Sequence, residues 1–153
     1  MTAYVFDIEA NGLQPTEIFC LVAMDTETGK TYEYGPDQID KGVQLLQNAD
    51  KLIGHNILGY DIPVIKKLHG VDLDDGTISI VDTLVLSRLR NSWDFSDHSL
   101  EAWGLRLNFP KGDFKDFSVY TPEMLAYCKQ DVEITYKLFK RFEPFWSNPD
   151  FHK

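Results

Sequence analysis

Cysteine is scarce: Cys20 and Cys128 are the only two in 153 residues. That is too few for a disulfide framework, and neither sits in a CxxC or histidine-rich setting, which argues against structural zinc as well. Both read as buried thiols of a reducing compartment. Long apolar runs are also missing; the longest hold about four residues, such as Leu21 to Met24, against the ~20 needed to span a bilayer. The start, Met1-Thr2-Ala3-Tyr4, lacks the basic segment and apolar stretch of a leader, so a soluble, cytoplasmic protein is expected. Basic charge is outnumbered, with 15 Lys and Arg against 24 Asp and Glu and a net charge of −9. A broad basic face that grips nucleic acid is therefore not expected, although an enzyme that meets phosphates through bound cations is not excluded. Repeats and linker-like stretches are absent too. With 43% hydrophobic and 13% aromatic residues to close one core, a single domain over 1–153 is expected.

Strand-like segments come first, over 3–9, 18–24 and 31–34, with Thr28-Gly29-Lys30 as the turn between the last two. From Pro36 onward helix and strand alternate: a helix over 37–47, a strand over 51–54, a helix over 62–69, a strand over 78–81, and helices over 83–90 and 99–105. Residues 91–97 are the loosest stretch. The final helix has Thr121 as N-cap, Pro122 at the first helical position and Glu123 in the first turn, and is expected to reach about Phe142. Three antiparallel strands followed by alternating helices and parallel strands make a mixed-sheet α/β domain, with the first strand central.

Several acids stand out against this frame. In the first strand Phe6 and Ile8 face one way and Asp7 and Glu9 the other, because side chains alternate. Either this is a polar strand face, or two carboxylates ~6.6 Å apart at Cα serve one small metal. In the last helix Met124, Tyr127, Cys128, Thr135, Leu138 and Phe142 share a stripe, with Lys129, Glu133, Lys137 and Lys140 opposite. Asp131 falls within the apolar stripe, where a carboxylate needs an arginine partner, a proton or a cation. Asp61, before the helix over 62–69, reads equally as its N-cap or as a ligand. Asp82-Thr83 reads as a helix cap. His55, His69, His98 and His152 lack a ligand spacing and are given no metal role. Asp7, Glu9, Asp61 and Asp131 in one cleft would repel one another without cations, and oxygen ligands select hard ones such as Mg²⁺ or Mn²⁺.

Phe6-Asp7-Ile8-Glu9, Asn56-Ile57-Leu58-Gly59-Tyr60-Asp61 and Tyr127-Cys128-Lys129-Gln130-Asp131 resemble, in order, the three motifs of the DEDD 3′–5′ exonucleases, which have a ribonuclease H-like fold. Tyr127, four residues before Asp131, matches the tyrosine branch; the histidine branch would need histidine where Ala126 stands. Asp7-Ile8-Glu9-Ala10-Asn11, Val81-Asp82-Thr83-Leu84-Val85-Leu86-Ser87-Arg88-Leu89 and Leu100-Glu101-Ala102-Trp103-Gly104 further resemble the proofreading domain of family A DNA polymerases from short-tailed bacteriophages, over nearly the whole chain. The resemblance implies a mixed five-stranded sheet flanked by helices and two divalent metal ions, Mg²⁺ or Mn²⁺. It implies Asp7, Glu9, Asp61 and Asp131 as metal ligands, and these with Tyr127 as catalytic residues. It also implies Leu13 as a wedge against the terminal base, with Asn56, Ala10 and Asn11 contacting the substrate strand.

The implied activity is removal of 5′-mononucleotides from single-stranded or frayed DNA 3′ ends, plausible as proofreading for a polymerase. No polymerase segment follows Lys153, so a stand-alone nuclease, or one working beside a separately encoded polymerase, is expected. A rim of Lys66, Lys67, Arg88, Arg106, Lys111 and Lys115 is expected to draw in the phosphate backbone. Two other readings stay open: an exoribonuclease or small-oligonucleotide nuclease, and a replication accessory module that has lost its metals.

Overall fold

The computed structural model describes residues 1–91, 97–108 and 117–146. Five strands, β1 (Ala3–Ala10), β2 (Ile18–Asp25), β3 (Thr31–Tyr34), β4 (Lys51–Gly54) and β5 (Ser79–Asp82), form one sheet in the order β3-β2-β1-β4-β5. β1 is central; β1 with β2 and β2 with β3 run antiparallel, whereas β4 runs parallel to both β1 and β5. The helices are α1 (Ile39–Gln47), α2 (Ile62–His69), α3 (Thr83–Asn91), α4 (Leu100–Arg106) and α5 (Pro122–Trp146). This is an α/β ribonuclease H-like fold, with a mixed five-stranded sheet flanked by helices, as expected from the sequence.

Alternation along β1 builds the two layers. Tyr4, Phe6 and Ile8 face a cluster containing Ile39, Val43 and Leu46 of α1 and Ile62 and Ile65 of α2. Ala3 and Val5 face the other way, onto Met124, Cys128, Val132 and Phe139 of α5. From Ala3 to Ile8 each strand side chain therefore has an apolar partner except at Asp7, which with Glu9 takes the α5 side by the same period of two. A third cluster joins Trp103 of α4 to Leu138 and Phe142 of α5. Its indole Nε1 donates to Ser87 Oγ of α3 at 2.7 Å, so the buried ring keeps its polar group satisfied.

Several details differ from the sequence reading. The helix expected over 37–47 opens with a 3-10 turn, Pro36–Gln38, before α1 begins at Ile39, since proline suits a first turn and supplies no amide to continue the ladder. α5 is anchored as expected, with Thr121 Oγ1 accepting the Met124 amide at 3.2 Å, but extends past Phe142 to Trp146. Its buried face is also wider than one stripe: Val132, Ile134 and Phe139 are buried too, because it touches both the sheet and α4. Most of the stretch 91–97 lies outside the described residues. Among the described residues no helix is long and apolar enough to cross a membrane.

Candidate active site

β1 pairs with β4 only through Ala3, Tyr4 and Val5. Beyond that point it runs free of β4, and the Ile8 amide finds a different acceptor: Asp61 Oδ2, at 3.1 Å. The register with β2 shifts between Glu9 and Ala10, a bulge of the kind that redirects side chains at the end of a strand. Asp7 and Glu9 thus project from a central strand where one neighbour has ended, the usual position of a site in an open α/β sheet.

Asp61 reaches this point by an unusual connection. Gly54 ends β4 where a Cβ would lie 2.2 Å from Ile57 Cγ2 and 3.1 Å from the Phe6 carbonyl oxygen, so only glycine lets the chain turn there. Asn56 follows in the left-handed region, at φ 60°, and a π-helical turn, Ile57–Asp61, leads into α2. The N-cap role expected as one alternative for Asp61 does not hold: the residue is helical, at φ −58° and ψ −49°, and makes no side-chain cap bond. The π turn widens the helix and swings the carboxylate toward β1 instead.

Asp82, at the end of β5, caps α3 as expected by accepting the Leu84 amide at 2.9 Å. It does more. The same buried carboxylate accepts the Asn56 amide at 2.8 Å and the Leu58 amide at 3.0 Å, which locks the strained turn that carries Asp61. Beside it His55 is held at both ring nitrogens, Nδ1 2.8 Å from Thr83 Oγ1 and Nε2 2.9 Å from the His98 carbonyl.

Asp7, Glu9, Asp61 and Asp131 all line one cavity of about 500 Å³, open to solvent. Asp61 is 3% and Asp131 4% exposed, whereas Asp7 and Glu9 are half-buried. Burial, followed by the negative charge of Glu9, pushes the Asp61 carboxyl well above the usual range, against a partly compensating bond from the Ile8 amide. A closer set joins two lining residues to a buried one behind them: one oxygen from each of Asp7 and Glu9 and the Cys128 Sγ fall within 4.8 Å of one another, a group able to hold a metal ion. Cys128 donates to the Asp7 carbonyl oxygen at 3.4 Å and to Asp7 Oδ2 at 3.5 Å. Burial raises its thiol well above the ordinary range, and hydrogen bonding with Cys20 and the charge of Asp7 add to the rise. The donor chemistry fits a divalent cation, since it would offset the mutual repulsion of desolvated carboxylates.

Other expected residues divide. Asn56, Ala10 and Leu13 line the cavity, and Leu13 is 91% exposed at its mouth. Asn11 is turned into its own loop, where Oδ1 accepts the Thr16 and Glu17 amides. Tyr127 does not line the cavity; its ring packs edge-on against Phe117, which does, with centroids 6.0 Å apart. Tyr60, not singled out by sequence, lines it and donates to the Gly12 carbonyl at 2.6 Å, bracing the loop that carries Leu13. Its place one residue before Asp61 was the available signal. Of the expected basic rim, Arg88 lines an adjoining cavity of about 460 Å³ that shares His55, Asn56 and Leu100 with the first. Lys66 pairs with Asp72, Lys67 donates to the Pro15 carbonyl and Arg106 to the Asp97 carbonyl, while Lys111 and Lys115 lie outside the described residues.

Comparison with known proteins adds to this geometry. No protein-family model matches the chain. Two DNA-directed DNA polymerases do, that of Enterobacteria phage T3 at 30% identity over 182 residues and that of Escherichia phage T7 at 29% over 182 residues. In both cases 90% of this chain is covered and 26% of the polymerase, so the chain spans about a quarter of the length of these curated relatives. Among solved structures, Brucella melitensis NrnC with bound Mg²⁺ superimposes with a TM-score of 0.69 at 19% identity, covering 97% of this chain and 75% of that one. The same protein bound to pGG gives 0.68 at 18% identity, covering 93% and 74%. The family B DNA polymerase of Pyrobaculum calidifontis gives 0.67 at 18% identity, covering 95% of this chain and 25% of that one. These likenesses show a shared fold.

Proposed function

We propose that the chain is a single-domain, divalent-metal-dependent 3′–5′ exodeoxyribonuclease that releases 5′-mononucleotides from single-stranded or frayed DNA 3′ ends. The observation that carries this reading is the convergence of Asp7, Glu9, Asp61 and Asp131 on one open cavity at the end of β1. The likeness of the sequence to part of two phage DNA polymerases favours DNA as substrate and a DNA polymerase as partner.

Asp7, Glu9, Asp61 and Asp131, which line the cavity together, would hold the cations. Two divalent cations, Mg²⁺ or Mn²⁺, supply activation of the attacking water and neutralisation of charge at the leaving oxygen when bound. Tyr127, whose ring packs against the cavity-lining Phe117, would orient the water by a hydrogen bond, with activation left to the metal. Asn56 contacts the strand being shortened, and Ala10 and Leu13 meet the terminal nucleotide at the cavity mouth, Leu13 as a wedge. A paired end must first melt to deliver its phosphate to this acidic pocket, so frayed ends are preferred.

The test is incubation with a 3′-mismatched primer-template and a 5′-labelled single strand, with Mg²⁺, with Mn²⁺ and with chelator. Shortening from the 3′ end should require metal and fall on the order of 10³-fold in Asp7→Ala. Retained activity in the variant or in chelator would refute the assignment. A second reading, an RNA or small-oligonucleotide nuclease, is favoured by the superposition on pGG-bound NrnC, of which the chain covers 74%. Rates on DNA and RNA strands of one sequence separate the two.

A further inference from the structure

Cys128 is the soft donor in an otherwise hard site. It lies one helical turn before Asp131, is fully buried, and turns its Sγ toward Asp7. With one oxygen each from Asp7 and Glu9 it completes a three-donor set within 4.8 Å. The proposed catalytic cations would use the oxygens alone, since Mg²⁺ and Mn²⁺ have little affinity for sulfur. A thiolate beside two carboxylates instead suits Zn²⁺ or Cd²⁺.

One donor separation in this set already matches what such an ion needs. With bonds of about 2.3 Å to sulfur and about 2.0 Å to oxygen, a tetrahedral ion sets those two donors about 3.5 Å apart. Cys128 Sγ lies 3.5 Å from Asp7 Oδ2. Asp7 and Glu9 line the open cavity, so the ion would enter from their side and take a solvent ligand there, with the fully buried Cys128 behind them.

We infer that Asp7, Glu9 and Cys128 form a mixed oxygen and sulfur site for a thiophilic divalent cation, Zn²⁺ or Cd²⁺, whose occupancy excludes the hard cations from Asp7 and Glu9. On binding, the Cys128 S–H bond breaks, the sulfur electron pair forms the bond to the ion, and the proton leaves to solvent; nothing is oxidised or reduced. The exclusion rests on the metal assignment proposed above, whereas the sulfur site itself stands without it. Its consequence is an enzyme poisoned by a soft cation and protected by excess Mn²⁺.

The experiment titrates the metal-free full chain with Cd²⁺ and follows the ultraviolet thiolate-to-metal charge-transfer absorption, with Mn²⁺ binding measured by water-proton relaxation. The band should saturate near about one equivalent, recede when Mn²⁺ is in excess, weaken at least tenfold in affinity in Asp7→Asn, and vanish in Cys128→Ser and Cys128→Ala. Cys20→Ser should keep it, and Cys128→Ser should keep Mn²⁺ binding. Absence of the band in the wild-type protein overturns the inference whether or not the variants fold. So does a band that survives in Cys128→Ser or is lost only in Cys20→Ser. A band in a protein without nuclease activity would sink the catalytic reading and leave the sulfur site; an active nuclease without a band would do the reverse.

Discussion

Asp61 Oδ2 accepts the amide of Ile8 at 3.1 Å, which ties the turn after β4 to the central strand between Asp7 and Glu9. The bond uses an amide that β4 ends too early to pair, and it holds a carboxylate that burial and Glu9 drive toward its protonated form. A group so placed makes the metal-free protein sensitive to pH. Because the folded-state value lies above the unfolded one of about 3.9, folding binds a proton across the interval between them. The stability this group contributes is therefore greatest below that interval and falls as pH rises through it.

Asp61→Asn removes this penalty while leaving an oxygen for the Ile8 amide. In chelator at pH 7 to 8 the variant should melt a few degrees above wild type, on the order of 2–4 °C for each kcal/mol recovered, and the gap should narrow as the pH is lowered. Added Mg²⁺ should raise the wild-type transition more than that of the variant. A lower melting temperature for the variant in chelator at neutral pH would contradict the account.

Asp82→Ala leaves the amides of Asn56, Leu58 and Leu84 without their acceptor in a partly buried corner. The expected cost is about 3 kcal/mol in urea denaturation, with faster hydrogen exchange at Asn56 and Leu58 than elsewhere in the sheet. Exchange unchanged at those two amides would show that the turn is held by something else.

Leu13 is 91% exposed, so Leu13→Ala should alter stability by less than ~0.5 kcal/mol. As a wedge it matters most where a pair must open. The rate on blunt paired ends should drop further than the rate on single strands; equal drops would remove the wedge role.

Tyr127→Phe keeps the ring against Phe117 and deletes only the hydroxyl. Folding and Mn²⁺ binding should be unchanged, with kcat reduced about 10²-fold and KM little altered. An unaltered kcat would transfer the water-positioning role elsewhere, and Tyr60, whose side chain lines the cavity, would be the next residue to change.

The period of two in β1 was enough to put Asp7 and Glu9 on one face, and the period of 3.6 in α5 enough to put Asp131 among apolar residues. Both are local regularities of the backbone, readable from spacing alone, and the Thr121-Pro122-Glu123 start of α5 is equally local. The order of strands and helices likewise implied the mixed sheet, because antiparallel hairpins and parallel crossovers need connections of different length.

What spacing could not show was how residues far apart in the chain meet. The cap role weighed for Asp61 failed because a π turn, set by the tight approach of Gly54 to Ile57 and Phe6, turned its side chain away from the α2 amides. Asp82 looked like a simple cap because the two amides it also accepts lie 26 and 24 residues earlier in sequence. Cys128 looked like an ordinary buried thiol until α5 packed against β1 and brought it to Asp7, 121 residues away. Local sequence determines which way each side chain leaves its own element; only the packing of one element on another decides which of those side chains share a site.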